Sequence, residues 1–175
     1  GGCLMIQNED DYDNAKLMRW FGLDKSISRQ DNQIKLQGYK YHMNDLNATI
    51  GLTQFKYYEE VINKHKYNAR ILREELGSIS NIDHPTIYLN TCSSYWFYTI
   101  FREENKKLMD YLNKKQIISS QLHKRNDLHP FLKSKFTNSL PNLENYLKKM
   151  LHIPCGWWLS ESDLDYIIST IKKYD

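Results

Sequence analysis

Residues 38–55 read G-Y-K-Y-H-M-N-D-L-N-A-T-I-G-L-T-Q-F and gather more chemically useful side chains than any other stretch of the chain. A glycine opens a turn carrying Tyr39, Lys40, Tyr41 and His42, and a helical pattern follows at once. Asn44 suits an N-cap, and Asp45 falls in the first turn, where the helix dipole favours an acid. A cationic loop set against a helix N-terminus is a ready anion site, and a phosphate group is the anion it suits best. His42 leaves two readings open, a substrate contact or a structural histidine with its hydrogen bonds met inside the fold.

Two further clusters could carry chemistry. Residues 123–129, H-K-R-N-D-L-H, place His123, Lys124, Arg125 and His129 in one polar loop. An arginine fork matches phosphate oxygens, so diphosphate recognition is one reading and a hydrated polar loop is the other. Residues 153–158, I-P-C-G-W-W, put Trp157 beside Trp158 just before the last helical pattern. Paired indoles can stack on a sugar or base. They also fill seams between a helix and a sheet, and for at least one of the two the core reading is preferred. No third ligand stands near the paired histidines, so a metal site is not expected.

These residues need elements to hold them. The sequence predicts a strand over 3–6, a helix over 10–21 stopped at Gly22, and an exposed loop over 23–37. A loop of that length is often functional. One very long helix is expected over 45–76, with Leu46, Ile50, Thr53, Tyr57 and Val61 as its apolar stripe and Gly77 as its stop. Ala48 and Gly51 would let another backbone come close. Beyond it, strands are expected over 95–101 and 117–122, helices over 105–115 and 141–150, a loop over 123–136 and an extended piece over 151–154. The last helix, 160–174, is capped by Ser160 with Asp163 three residues on. Alternating strands and helices make this half a small α/β or α+β layer.

The bulk properties narrow the class. The chain has 175 residues, 41% of them hydrophobic and 26% charged, enough to bury a core and unlike a disordered segment. Its net charge of +3 is too mild to imply nucleic acid, and no basic recognition helix is seen. Three cysteines, Cys3, Cys92 and Cys155, stand far apart with no metal-binding spacing. That fits a reduced, cytoplasmic setting and an inert Cys155 thiol. No signal peptide is expected, and these residues hold no apolar run long enough to cross a membrane.

The 38–55 segment resembles the sugar aminotransferases of the DegT/DnrJ/EryC1/StrS type, whose pattern there is G-[YF]-N-[YF]-[RK]-[ML]-x-[DE]-[LI]-x-A-A-x-G-x-x-Q. Gly38, Tyr39, Tyr41, Met43, Asp45, Leu46, Ala48, Gly51 and Gln54 fall on it. Lys40 stands where the family has Asn, His42 where it has Arg or Lys, and Thr49 in place of the second Ala. The resemblance extends over essentially the whole chain. It implies an α/β fold: the C-terminal portion of a fold-type I pyridoxal-phosphate-dependent transferase. Residues 1–45 would end the large cofactor-binding domain, 46–77 would be a long linking helix, and 78–175 a small C-terminal domain.

The resemblance also implies function. The complete protein would transfer an amino group, commonly from glutamate, to a keto-sugar carried on a nucleotide, with pyridoxal 5′-phosphate as cofactor. Lys40 would take the family asparagine's role of reaching the cofactor phosphate across a dimer, against the plain reading of a solvated surface lysine. His42, His123, Arg125, His129 and Trp157 are the expected substrate contacts. The Schiff-base lysine is expected upstream of residue 1, which would leave the 175 residues inactive alone. A homodimer or a missing N-terminal half is the expected partner, with neither nucleic acid nor membrane. Two alternatives stand: a sugar dehydratase with His in place of that lysine, and a non-catalytic remnant that dimerises or binds nucleotide-sugar.

Overall fold

A computed structural model describes residues 2–133 and 139–174. The chain divides into two compact units, Gly1–Tyr57 and Tyr58–Asp175.

In the first unit, residues 3–6 run without strand pairing. The predicted strand is absent because no neighbouring strand meets it among the described residues, and Leu4 and Met5 are almost wholly exposed. Helix α1, Glu9–Met18, begins where Asn8 Oδ1 accepts the Asp11 amide at 3.2 Å. It stops three residues short of the expected end, since Phe21 and Gly22 take left-handed φ of 56° and 75°. The loop that follows is knitted by one side chain. Asn32 donates to the carbonyls of Asp24 at 2.7 Å and Ile27 at 3.1 Å and accepts the Asp24 amide at 2.9 Å.

The single helix expected over 45–76 is two helices, α2 (Asp45–Phe55) and α3 (Tyr58–Leu76). The ladder gives way to a tighter turn in which the Tyr57 amide donates to Gln54 at 3.0 Å. Phe55, Tyr57 and Tyr58 crowd this point, and aromatic side chains lose rotamer freedom inside a helix. The expected apolar stripe is also corrected. α2 buries no residue, and Leu46, Ile50, Leu52 and Phe55 are all exposed. A Cβ on Gly51 would meet nothing within 4 Å, so among the described residues no backbone comes close there.

The second unit holds the core. α3 buries His65, Asn68, Ala69, Leu72 and Leu76, a stripe at helical spacing. Gly77 follows where a Cβ would fall 2.8 Å from the Arg73 carbonyl. Strand β1 is Tyr98–Phe101, shorter than expected because Tyr95 takes a left-handed φ of 49°. Helix α4 (Asn105–Lys114) contributes Leu108 and Leu112. A three-residue 3₁₀ turn (Asn126–Leu128) and the short α5 (Pro130–Lys133) occupy the region read as a loop, whose residues 134–136 lie outside the described residues. α6 (Pro141–Lys149) leads into β2 (Met150–Ile153), and α7 (Glu161–Tyr174) closes the chain.

β1 and β2 pair antiparallel, Tyr98 opposite Ile153 and Phe101 opposite Met150. Single bridges widen the ribbon on both edges, Asp83 with Phe101 and Ser120 with His152. The second bridge is all that forms of the strand expected over 117–122. The Asn113 side chain instead holds both the amide and the carbonyl of Ser119. α7 packs on α3 and α4, so Leu72, Ile100, Leu108, Leu151, Leu164 and Ile171 share one apolar core. The cap of α7 is as read: the Ser160 amide donates to Asp163 Oδ2 at 2.9 Å, and the Asp163 amide donates to Ser160 Oγ at 3.1 Å.

Candidate functional site

In the first unit, two stretches of backbone meet at the aromatic and basic turn. The Tyr39 amide donates to Met18 at 2.7 Å, the Phe21 amide to Tyr39 at 3.0 Å, and the Tyr41 and His42 amides to Arg19 at 2.9 and 3.1 Å. Trp20 and Lys40 form the bridge between the stretches. This closeness demands glycines. A Cβ on Gly38 would lie 1.9 Å from the Gly22 nitrogen, and one on Gly22 would lie 2.4 Å from the Leu36 carbonyl oxygen. Tyr39 and Tyr41 stack at 5.1 Å and shape the turn. Asn44 caps α2, its Oδ1 accepting the Asn47 amide at 2.8 Å.

The turn sits among cations. Lys40 is exposed. Lys25 lies over the Trp20 ring at 4.6 Å, a cation–π contact. The His42 ring stands edge-on to Trp20 at 4.0 Å, and its Nδ1 is buried without a hydrogen-bond partner. Burial, and then the charges of Lys25, Lys40 and Arg19, hold the His42 pKa below its usual value. A cavity of about 550 Å³ opens beside it, lined by Tyr12, Lys16, Arg19, Tyr41, His42 and Asn47 among others. Lys16, Arg19 and His42 line this one cavity, and two cations beside an imidazole suit a dianion such as a phosphate. The sequence reading missed Lys16 and Arg19. They lie on α1 and its C-cap, and only the fold brings them to the turn.

In the second unit, a cavity of about 740 Å³ gathers His123, Lys124, Arg125 and His129 with Phe97, Tyr146 and His152. The structure thus brings together three of the predicted contacts. Arg125 is not open like its neighbours. Its Nε and Nη2 donate to the two oxygens of Asp127 at 3.0 and 2.6 Å, and its Nη1 donates to Glu144 at 2.8 Å. His152 forms the floor, its Nδ1 hydrogen-bonded with the Thr99 hydroxyl at 3.1 Å and its ring 4.0 Å from Phe97. Burial, with His123 adding to it, keeps its pKa below the usual value.

Trp157 stands apart from this cluster. Both it and Trp158 are more than half exposed, so neither fills the core as expected. Asn68 turns this loop outward by donating to the carbonyls of Cys155 at 3.3 Å and Gly156 at 2.9 Å. Trp158 lies over Gly156 and joins Trp96, Phe97, Ile118, Leu122 and Tyr166 around an apolar cavity of about 450 Å³. Cys155 is buried, and burial pushes its thiol up to about 12, which leaves it inert. Among the described residues no group of three His, Cys, Asp or Glu side chains could hold a metal ion. None of the described helices is long and apolar enough to cross a membrane.

Comparison with known proteins places these elements. The sequence model of the DegT/DnrJ/EryC1/StrS aminotransferase family matches residues 1–172. The spore coat polysaccharide biosynthesis protein SpsC of Bacillus subtilis is 22% identical, over 98% of this chain and 49% of its own length. A UDP-4-amino-4,6-dideoxy-N-acetyl-beta-L-altrosamine transaminase of Campylobacter jejuni is 24% identical, over 98% of this chain and 47% of its own length. The crystal structure of a sugar aminotransferase from Micromonospora echinospora superposes with a TM-score of 0.89 at 29% identity, covering 95% of this chain and 45% of that one. The chain spans about half the length of the curated relatives it matches.

Proposed function

This chain belongs to the DegT/DnrJ/EryC1/StrS aminotransferase family, and from that membership we propose that its residues serve a pyridoxal-phosphate-dependent transfer of an amino group to a nucleotide-linked keto-sugar. The observation that carries the reading is the turn of residues 38–42, clamped to the end of α1 with cations around it. When bound, pyridoxal phosphate supplies an electron sink that no side chain offers.

This chain's own part is to hold and orient. Lys40, exposed and in the turn next to Tyr41, is the residue proposed to take the cofactor phosphate, as a point cation on a dianion. His42 offers an unpartnered nitrogen beside it for a substrate or phosphate oxygen. His123 and His129 are proposed to meet the substrate's anionic part, and Trp157, exposed, to stack on a ring face. The Schiff-base lysine is proposed to lie outside these residues, with glutamate as amino donor and a cytoplasmic setting.

The domain roles are part of the proposal: 1–45 ending the cofactor-binding domain, 46–77 linking, and 78–175 forming the small domain. A dimer is proposed as well. The apolar side chains of α2, Leu46, Ile50, Leu52 and Phe55, support it, since so many exposed on one short helix are ordinarily covered by further polypeptide.

The test is binding of pyridoxal 5′-phosphate, read by quenching of tryptophan emission, with a Trp20→Phe variant to assign the signal. Quenching that Lys40→Met abolishes supports the reading. The absence of any response to pyridoxal phosphate or to a UDP-linked keto-sugar would sink it. Release of 2-oxoglutarate from glutamate in the presence of the keto-sugar tests the transfer itself once the residues that carry the Schiff-base lysine are supplied with this chain.

A further inference from the structure

Arg125 is the cation that chemistry would first choose as a phosphate ligand in the cavity of the second unit. Its fork is already filled. The guanidinium is 14% exposed, engages Asp127 through two parallel bonds and reaches Glu144 with a third. One positive and two negative charges leave this group net negative, which an anion would avoid. Releasing the arginine would also strand two carboxylates, one of them only 16% exposed.

The clamp's position suggests another role. Asp127 belongs to the 3₁₀ turn Asn126–Leu128, which is closed by the Leu128 amide on Arg125 at 3.2 Å and the His129 amide on Asn126 at 3.1 Å. Glu144 lies in the first turn of α6. Arg125 therefore ties the loop that carries His123, Lys124 and His129 to the helix that carries Tyr146, and these are walls of the same cavity.

We propose that Arg125 is a positioning residue: with Asp127 and Glu144 it holds His123, Lys124 and His129 in the arrangement that receives the anionic part of a nucleoside diphosphate. This rests on the reading of the cavity as the substrate's anion site. The role explains why two carboxylates are tolerated beside a basic pocket. They more than offset the Arg125 charge within the clamp and leave Lys124 as the cation that faces the cavity.

The experiment uses uridine diphosphate as probe, titrated calorimetrically into residues 1–175 at one salt concentration. The variants are Arg125→Lys, Asp127→Asn and Glu144→Gln. Positioning predicts weaker binding, by about tenfold, in each of them, as misplacement of binding groups does. The sign is telling, because Asp127→Asn and Glu144→Gln each remove a negative charge and would strengthen anion binding by Coulomb attraction alone. Tighter binding in those two would mean that Arg125 is itself the ligand, and would overturn the proposal. Amide exchange supplies an independent readout. It is expected to speed up over residues 123–129 in all three variants while the thermal midpoint holds, and unchanged exchange would overturn the clamp. Failure of the unaltered chain to bind uridine diphosphate, with exchange still faster in the variants, would remove the anion reading and leave the clamp standing.

Discussion

The Cβ that Gly38 lacks would fall 1.9 Å from the backbone nitrogen of Gly22, and two atoms of Phe21 would lie within 2.8 Å of it. Backbone cannot step aside as a side chain tip can, so this contact joins the turn of residues 38–42 to the end of α1. Gly38→Ala should break the pairing of Tyr39 with Met18 and Phe21, at a cost of about 3 kcal/mol or more. Gly51→Ala, where a Cβ meets nothing, should gain about 0.5–1 kcal/mol of helix stability. Amide exchange of Phe21 and Tyr41 distinguishes the two: it accelerates in the first variant only.

Acid should loosen the second unit through its buried histidines. His84 is hydrogen-bonded through Nδ1 with the Tyr98 hydroxyl at 2.9 Å. Burial, and then the charge of Arg73, hold its pKa below 6.5, and burial does the same for His152. Folded pKa values under the unfolded one mean that the unfolded chain takes up more protons on acidification. Their contribution is complete above about 6.5 and is lost as pH falls from there through the folded pKa of each ring. A thermal midpoint that falls between pH 7 and pH 5, with a shallower slope in His84→Gln and His152→Gln, is the expected outcome.

Asn68 is fully buried on α3 and donates to two carbonyls on the far side of the sequence, those of Cys155 and Gly156. Asn68→Ala would leave both acceptors buried with one partner fewer. The expected loss is about 1–3 kcal/mol, measured by denaturant unfolding followed in the far ultraviolet.

Gly156→Ala tests the same loop from the other side. The added methyl would meet the far ring atoms of Trp158 at 2.2–2.4 Å, and that indole is 61% exposed and able to swing away. Stability should shift by less than about 1 kcal/mol while the Trp158 emission changes, because the new group displaces a side chain and leaves the backbone in place.

How much of this was legible depended on the distance over which each determinant acts. The α7 cap could be read because Ser160 and Asp163 are both partners and near neighbours. The buried stripe of α3, from His65 to Leu76, lies beyond the stripe read from sequence, which ended at Val61, because two of its members, His65 and Asn68, are polar. The break between Phe55 and Tyr58 could not be read, since the apolar pattern runs through it unbroken. The strand expected over 117–122 has the right residues, yet Asn113 claims the Ser119 backbone first. At the candidate sites the residue types were legible and their engagements were not. Nothing local in H-K-R-N-D-L-H says that Arg125 is occupied, because Glu144 lies on another element. The outward placement of Trp157 is likewise set by Asn68, far away in the chain.

The three thiols differ in a way that turns the molecule into its own gauge of opening. Cys3 and Cys92 lie on the surface, while Cys155 is 1% exposed, with its Sγ 3.4 Å from the His65 carbonyl. A maleimide will label the first two at once and the third only when α3 parts from the loop before α7. The lag between second and third labels then times an opening of the folded second unit with no substitution made in it.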